Sequence, residues 1–91
     1  MSASELRAWL RTAESKSVGF VRDGESESVG RKSGKKILRM LEGGPVDEAH
    51  VRKVDGYIAR HLAQKPDGDV RGTRWRYSLM NWGHDPLGIG L

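Results

Sequence analysis

The helical spacing of apolar residues is the feature that most constrains the fold of this chain. Apolar side chains recur at intervals of three and four residues through most of the sequence, whereas the alternation typical of strands is nearly absent. Glycine, proline and capping residues separate one helical segment from the next. The sequence therefore predicts an all-α fold.

Four helices are predicted, and each is bounded by start and stop signals. Ser2 with Glu5 fits a capping box, Ser28 and Thr73 are good N-caps, and Pro45 suits the first turn of a helix. The predicted helices span about residues 3–13, 28–42, 46–64 and 73–82, with a loop at residues 14–27.

The apolar faces of these helices define one predicted core. A chain of 91 residues supports a single domain with a modest core, so we assign residues 1–91 to one domain. The Gly-rich end, residues 88–91, is expected to be disordered. The predicted core comprises Leu6, Trp9, Leu10, Val29, Ile37, Met40, Leu41, Val51, Val54, Ile58, Leu62, Trp75, Leu79 and Trp82.

The composition excludes several classes of protein. The absence of cysteine excludes disulfide frameworks, thiolate zinc sites and cysteine nucleophiles. The N-terminus lacks a basic segment followed by an apolar run, and no stretch approaches the roughly 20 apolar residues that span a bilayer. We therefore expect a soluble, cytoplasmic protein with no membrane partner.

The second predicted helix carries its cations on one side. The chain has 16 Lys and Arg against 12 Asp and Glu, a net charge of +4, and no acid lies between Ser28 and Leu41. Rows of cations are typical of surfaces that bind phosphates, although a solvated face that binds nothing is the alternative interpretation. The predicted phosphate contacts are Arg31, Lys32, Lys35, Lys36 and Arg39. On the opposite side, the small residues Gly30, Ser33 and Gly34 predict the close approach of another backbone.

The fourth predicted helix has an apolar stripe and a polar face. Arg74, Tyr77 and Asn81 lie together on the polar face, where they can bond phosphates or base edges. Arg71, Arg74 and Tyr77 are therefore predicted as secondary nucleic-acid contacts. Arg76 lies beside the tryptophan stripe, which favours a buried ion pair with a carboxylate over a partner contact.

Three histidines raise the question of a metal or catalytic site. His50 and His61 are three helical turns apart, too far to share a metal, and His84 can approach only one of them. Neither a Walker sequence nor a local nucleophile arrangement is present. We predict near-core histidines with polar partners, no metal or other cofactor, and no enzymatic activity.

A stripe of small residues on the third predicted helix leaves a second function open. Ala49, Gly56 and Ala63 recur every seven residues, so a second neighbour can pack there and the helix would be central in the domain. If that neighbour belongs to another chain, the protein is a homodimer or a protein-interaction module. If it belongs to the same chain, this reason for a partner disappears.

Four segments together resemble one known family. They are "SASELRAWL", "SESVGRKSGKKI", "HVRKVDGYIARHLAQKPDGDV" and "TRWRYSLMNWGHDP". Their order and spacing, from Ala3 to Leu87, are similar to those of small bacterial and fungal proteins catalogued as domain of unknown function 3140. Members are often labelled as DNA-binding proteins, so the resemblance implies a shared fold unit and DNA binding, and it supplies no catalytic residues.

These observations favour a non-enzymatic, sequence-independent DNA-binding protein over the interaction module. The expected partner is double-stranded DNA, contacted through its phosphate backbone. Such a protein is expected at the nucleoid.

Overall fold

Five helices make up the computed structural model of the protein, which describes residues 1–88. They are α1 (Ala3–Leu10), α2 (Ala13–Ser17), α3 (Val29–Leu41), α4 (Glu48–Leu62) and α5 (Arg74–Asn81). No strand occurs in this range, so the predicted all-α fold is confirmed. Most of the predicted disordered tail, residues 89–91, lies outside the described part of the chain.

The first predicted helix is divided into α1 and α2, so the predicted loop at residues 14–27 begins too early. The predicted capping box is confirmed. The Ser2 hydroxyl accepts a hydrogen bond from the Glu5 amide at 3.2 Å, and the Glu5 carboxylate accepts one from the Ser2 amide at 2.9 Å. Thr12 then starts α2, since its hydroxyl accepts a hydrogen bond from the Ser15 amide at 3.1 Å. The short segment "AESKS" has no apolar period that could have indicated this helix.

The other three helices, α3, α4 and α5, also begin at a side-chain cap. Ser28 and Thr73 cap α3 and α5 as predicted, by accepting the backbone amides of Arg31 and Arg76. α4 begins after Asp47 rather than at the preceding proline, because the Asp47 carboxylate accepts a free amide of the first turn. The caps thus determine where three of the predicted helices start.

Helix α3 packs closely against α1 and α5. A Cβ atom built on Gly34 would lie 2.2 Å from the carbonyl oxygen of Asn81, and one on Gly30 would lie 2.9 Å from Nε1 of Trp82. Both distances are too short for a real side chain. The predicted close approach at the small residues of α3 is therefore confirmed.

The core lies between α1, α3 and α5 and is smaller than predicted. Leu41, Val51 and Leu62 are exposed, so their assignment to the core is wrong. The buried apolar residues are Leu6, Trp9, Leu10, Val18, Val54, Val70, Leu79, Met80 and Trp82. Those that the sequence analysis missed are Val18, Val70 and Met80.

The outlying position of α4 explains the exposed residues. Val54 is buried, whereas the other apolar residues of α4 are half-buried or exposed. The predicted central position of this helix is therefore wrong. α4 makes few contacts with the other helices, and a cleft lies between α3 and α4.

Candidate nucleic-acid interface

Arg31 lies in the interior, contrary to the prediction that it faces outward with the other cations of α3. It is 7% exposed. Its Nη1 atom donates hydrogen bonds to the Leu10 carbonyl oxygen at 2.6 Å and the Ser15 hydroxyl at 2.7 Å. Its Nε atom lies 3.5 Å from a carboxylate oxygen of Glu27. Because Arg31 is buried and its Nη1 and Nε atoms face groups of the protein, it is not available to a phosphate.

Arg31 belongs to a buried group of polar side chains that we call the polar core: Trp9, Ser15, Arg31 and Asn81. Asn81 is 1% exposed, so the prediction that it faces a partner is wrong. Its Oδ1 atom accepts hydrogen bonds from the Trp9 indole at 2.8 Å and from the Ser15 hydroxyl, and its Nδ2 atom donates to the Ser15 carbonyl oxygen at 3.1 Å. α2, which supplies Ser15, thus joins α1, α3 and α5.

The other four cations predicted on α3 reach the surface. Lys32, Lys35 and Arg39 are exposed and Lys36 is half-buried. Lys32 pairs with Glu25, Lys35 lies 2.6 Å from a carboxylate oxygen of Glu27, and Lys36 lies 2.7 Å from one of Asp47. The acids come from the loop before α3 and from the cap of α4. The row of cations seen in the sequence is therefore partly neutralised by folding.

A cleft between α3, α4, the loop before α3 and the end of α5 collects further cations. It consists of two adjoining cavities of about 210 and 380 Å³, which share Arg22, Val29, Lys53 and Trp82. We call it the cationic cleft, because its lining residues include five cations and one acid, Glu25. The cations are Arg22, Lys32, Lys36, Lys53 and Arg60.

Helix α4 supplies one wall of the cationic cleft through residues at helical spacing. His50, Lys53, Tyr57 and Arg60 follow one another at three- and four-residue intervals and all line the cleft. The Tyr57 ring stacks on that of Trp82 with centroids 4.1 Å apart and an angle of 13° between the planes. Burial raises the pKa of Tyr57 above its ordinary value. The stacked pair holds the wall in place while the two cations remain exposed.

Two of the histidines, His50 and His61, have polar partners, as predicted for near-core positions. The His50 Nε2 atom lies 3.0 Å from the Ser33 hydroxyl, and burial, followed by the charge of Lys36, lowers the pKa of His50. The His61 Nε2 atom lies 3.0 Å from the Trp75 carbonyl oxygen, and its ring lies between those of Tyr57 and Trp75. Within residues 1–88, no group of three His, Cys, Asp or Glu side chains is placed to hold a metal ion.

The predicted secondary contacts lie outside the cationic cleft. Arg71 is exposed and pairs with Asp69 at 2.7 Å, which lowers the pKa of that carboxyl to about 2. Arg74 is exposed, and Tyr77 is half-buried with its ring 5.2 Å from that of Trp9. The structure does not bring these three residues together with the cations of α3 in one cleft.

The predicted ion pair of Arg76 is confirmed. Its Nε and Nη2 atoms each lie 3.0 Å from a carboxylate oxygen of Asp85, and both side chains are less than a tenth exposed. This bidentate pair connects α5 to the segment that follows it.

Sequence reasoning missed three cations of the cationic cleft: Arg22, Lys53 and Arg60. Lys53, Tyr57 and Arg60 share one side of α4, so their helical spacing is a signal that could have indicated them. Arg22 precedes α3 in an irregular segment, and only the folded chain brings it opposite α4.

The fold and the cationic cleft define a small all-helical protein with an open, positively lined groove. None of the helices in residues 1–88 is long and apolar enough to cross a membrane. The chain matches the family described as "Protein of unknown function (DUF3140)" over residues 1–80, and it belongs to that family. No curated protein and no solved structure matches it.

Proposed function

We propose that the protein binds DNA without sequence specificity, through contacts between phosphates and the cations of the cationic cleft. The observation that carries the proposal is the collection of five cations and one acid on the walls of a single groove. A groove lined by one sign of charge concentrates its field and attracts a polyanion. Phosphate contacts of this kind carry no sequence information. DNA binding would place the protein at the nucleoid.

The exposed side of α3 extends this surface. Lys35 and Arg39 lie on the same helix as Lys32 and Lys36, beyond the mouth of the cationic cleft. The ion pairs of the lysines are exposed, with 43–51% of each lysine side chain accessible. Exposed pairs contribute only about 0–1 kcal/mol. A phosphate can therefore replace the carboxylate partners at little cost.

A salt titration of duplex DNA binding tests the proposal. Neutralising about four phosphates gives a plot of log affinity against log salt with a slope of about −3.6. The Lys53→Ala/Arg60→Ala double variant should bind more weakly and reduce the magnitude of the slope by about 1.8. Fluorescence anisotropy of a labelled duplex measures both quantities.

The control double variant is Arg11→Ala/Lys16→Ala. Like the first double variant, it removes one lysine and one arginine, but from exposed positions that do not line the cationic cleft. The slope of this variant should match that of the unmodified protein. Absence of duplex binding at low salt, or equal losses in the two double variants, would contradict the proposal.

A homodimer is the second candidate, and an apolar groove favours it. Leu41, Val46 and Val51 are 50%, 68% and 39% exposed, and they line a cavity of about 300 Å³ between α3 and α4. Ala49 and Ala63 of the predicted small stripe are also exposed. Sedimentation equilibrium tests whether the protein forms a dimer. If it is a monomer at every protein concentration, the homodimer is no longer a candidate.

A further inference from the structure

An exposed aromatic side chain stands at the cationic cleft. Phe20 is 72% exposed, yet it lines the larger cavity together with Arg22, Lys53, Tyr57 and Arg60. Its position is held from the backbone, because the Phe20 carbonyl oxygen accepts a hydrogen bond of 2.9 Å from the Val29 amide at the start of α3. The ring is therefore presented at the groove by a segment tied to a helix.

Phe20 is the aromatic residue of the cationic cleft with the most accessible ring. Trp82 is 6% exposed and stacks on Tyr57, so these two rings form part of the wall. Tyr57 is half-buried. A planar ligand that enters the cleft would find an accessible aromatic face at Phe20 and cations around it.

Duplex DNA cannot contact both the accessible ring of Phe20 and the cations around it fully. Its bases are paired and stacked inside the helix, so their faces are not free to stack on Phe20. Proteins that bind single strands combine a cationic groove with aromatic rings on which unpaired bases stack. The larger cavity, about 380 Å³, also falls in the usual size range of small-ligand sites, about 300–1,000 Å³.

We infer that the cationic cleft binds an unpaired nucleotide, with its base on Phe20 and its phosphate among Arg22, Lys53 and Arg60. The inference rests on the proposed function and refines it, because it predicts a preference for single strands over duplex DNA. The same chemistry is offered by a free nucleotide. We assign the ligand to single-stranded DNA, because the cations of α3 from Lys32 to Arg39 continue over seven residues, about 10 Å of helix, where further phosphates can bind.

Binding of labelled oligothymidylate, compared with a blunt duplex of equal length, tests the inference. The Phe20→Ala variant should bind oligothymidylate about 5- to 150-fold more weakly, the loss expected for one stacked base. Its duplex affinity should be unchanged. Phe20→Trp should retain the affinity for oligothymidylate, and its fluorescence should be quenched on binding.

Val21→Ala is the matched control, since Val21 is the adjacent exposed apolar residue at 44% exposure. It should leave both affinities unchanged. If Phe20→Ala has no effect on oligothymidylate while the duplex still binds, the inference is overturned and the proposed function stands. If neither form of DNA binds at low salt, both fail. Displacement of oligothymidylate by equimolar thymidine monophosphate would overturn the single-strand assignment in favour of a free nucleotide.

Discussion

Two polar regions beside helix α3 are built in opposite ways, although Asn81 belongs to both. In the polar core, Arg31 donates to the Leu10 carbonyl oxygen and the Ser15 hydroxyl, Asn81 donates to the Ser15 carbonyl oxygen, and no buried side-chain N or O atom among the described residues lacks a partner. The lining of the cationic cleft instead carries five cations and one acid. The polar core makes its hydrogen bonds without a ligand, whereas the cationic cleft has an excess of positive charge.

The difference teaches that a cation on a helix face does not by itself indicate a binding surface. Arg31 and Lys32 are neighbours in the sequence, yet one is buried and the other exposed. A buried charge must be compensated inside the protein, whereas an exposed charge keeps its solvent and can exchange partners. The position in the fold therefore decides the role of each cation.

Gly34→Ala should have the largest effect, because it forces α3 away from α5. The added methyl group would lie 2.2 Å from the carbonyl oxygen of Asn81, a backbone atom that cannot move aside alone. We expect a loss of about 3 kcal/mol in the free energy of unfolding. Urea denaturation followed by tryptophan fluorescence measures it.

Gly56→Ala is the control on the outlying helix α4. Its Cβ would lie 3.2 Å from the end of the flexible Arg60 side chain, which can move. Alanine should therefore stabilise the protein by about 0.5–1 kcal/mol through its higher helix propensity. A similar loss in both variants would mean that α3 is not held more tightly than α4.

Arg31→Met should destabilise the protein by about 2–3 kcal/mol, because it leaves the Leu10 carbonyl and the Ser15 hydroxyl without their charged donor. The same substitution in the cationic cleft, Arg22→Met, should change the free energy of unfolding by no more than about 0.5 kcal/mol. Thermal unfolding of both variants measures the contrast. Equal losses would show that the cleft arginine is also structural.

Glu25→Gln should strengthen DNA binding slightly, since it removes the one acid among the lining residues of the cationic cleft and frees Lys32. The expected gain is about two- to fivefold in affinity at low salt, the size of an exposed ion pair. Anisotropy measures the gain, and the free energy of unfolding should hardly change. Unchanged or weaker binding would argue that Lys32 does not contact the phosphates.

The smallest effect is the pH dependence contributed by His50. Its pKa is lowered in the folded protein by burial and by Lys36, with Asp47 opposing and Lys53 adding to the shift. The unfolded state therefore binds the proton more readily, and stability falls as the pH drops below the ordinary pKa of 6.5. The His50→Gln variant should lose less stability than the unmodified protein between about pH 8 and pH 5. Parallel pH profiles of the two melting temperatures would contradict this.

Much of the fold could be predicted because local signals determine it. Ser2, Ser28 and Thr73 mark helix starts through bonds to amides three residues away, and such short-range spacing can be recognised in the sequence. The small residues on the inner face of α3 also indicated a close contact. Glycine is a poor helix former, so its presence at Gly34 inside a helix suggests that another segment packs too closely for a side chain. Helix α2 was missed, since five residues without an apolar period carry no such signal.

Less of the candidate site could be predicted. Lys32 and Lys36 were identified correctly as cations that reach the surface, but the acids that pair with them lie elsewhere in the chain. Arg22 has no helical spacing, and its place opposite α4 depends on the path of the loop. Spacing shows which residues share a helix face, but it does not show what lies opposite that face.

The amino-acid sequence by itself determined the helical class, most helix starts, the close contact at Gly34 and the family to which the chain belongs. These properties depend on interactions between near neighbours or on the residue types themselves. Tertiary structure alone decided that Arg31 is buried and that Arg22, Lys53 and Arg60 meet in one groove. The burial of a residue and the meeting of residues in one groove depend on contacts between segments that are distant in the sequence. The residues of one helix face therefore do not contain that information.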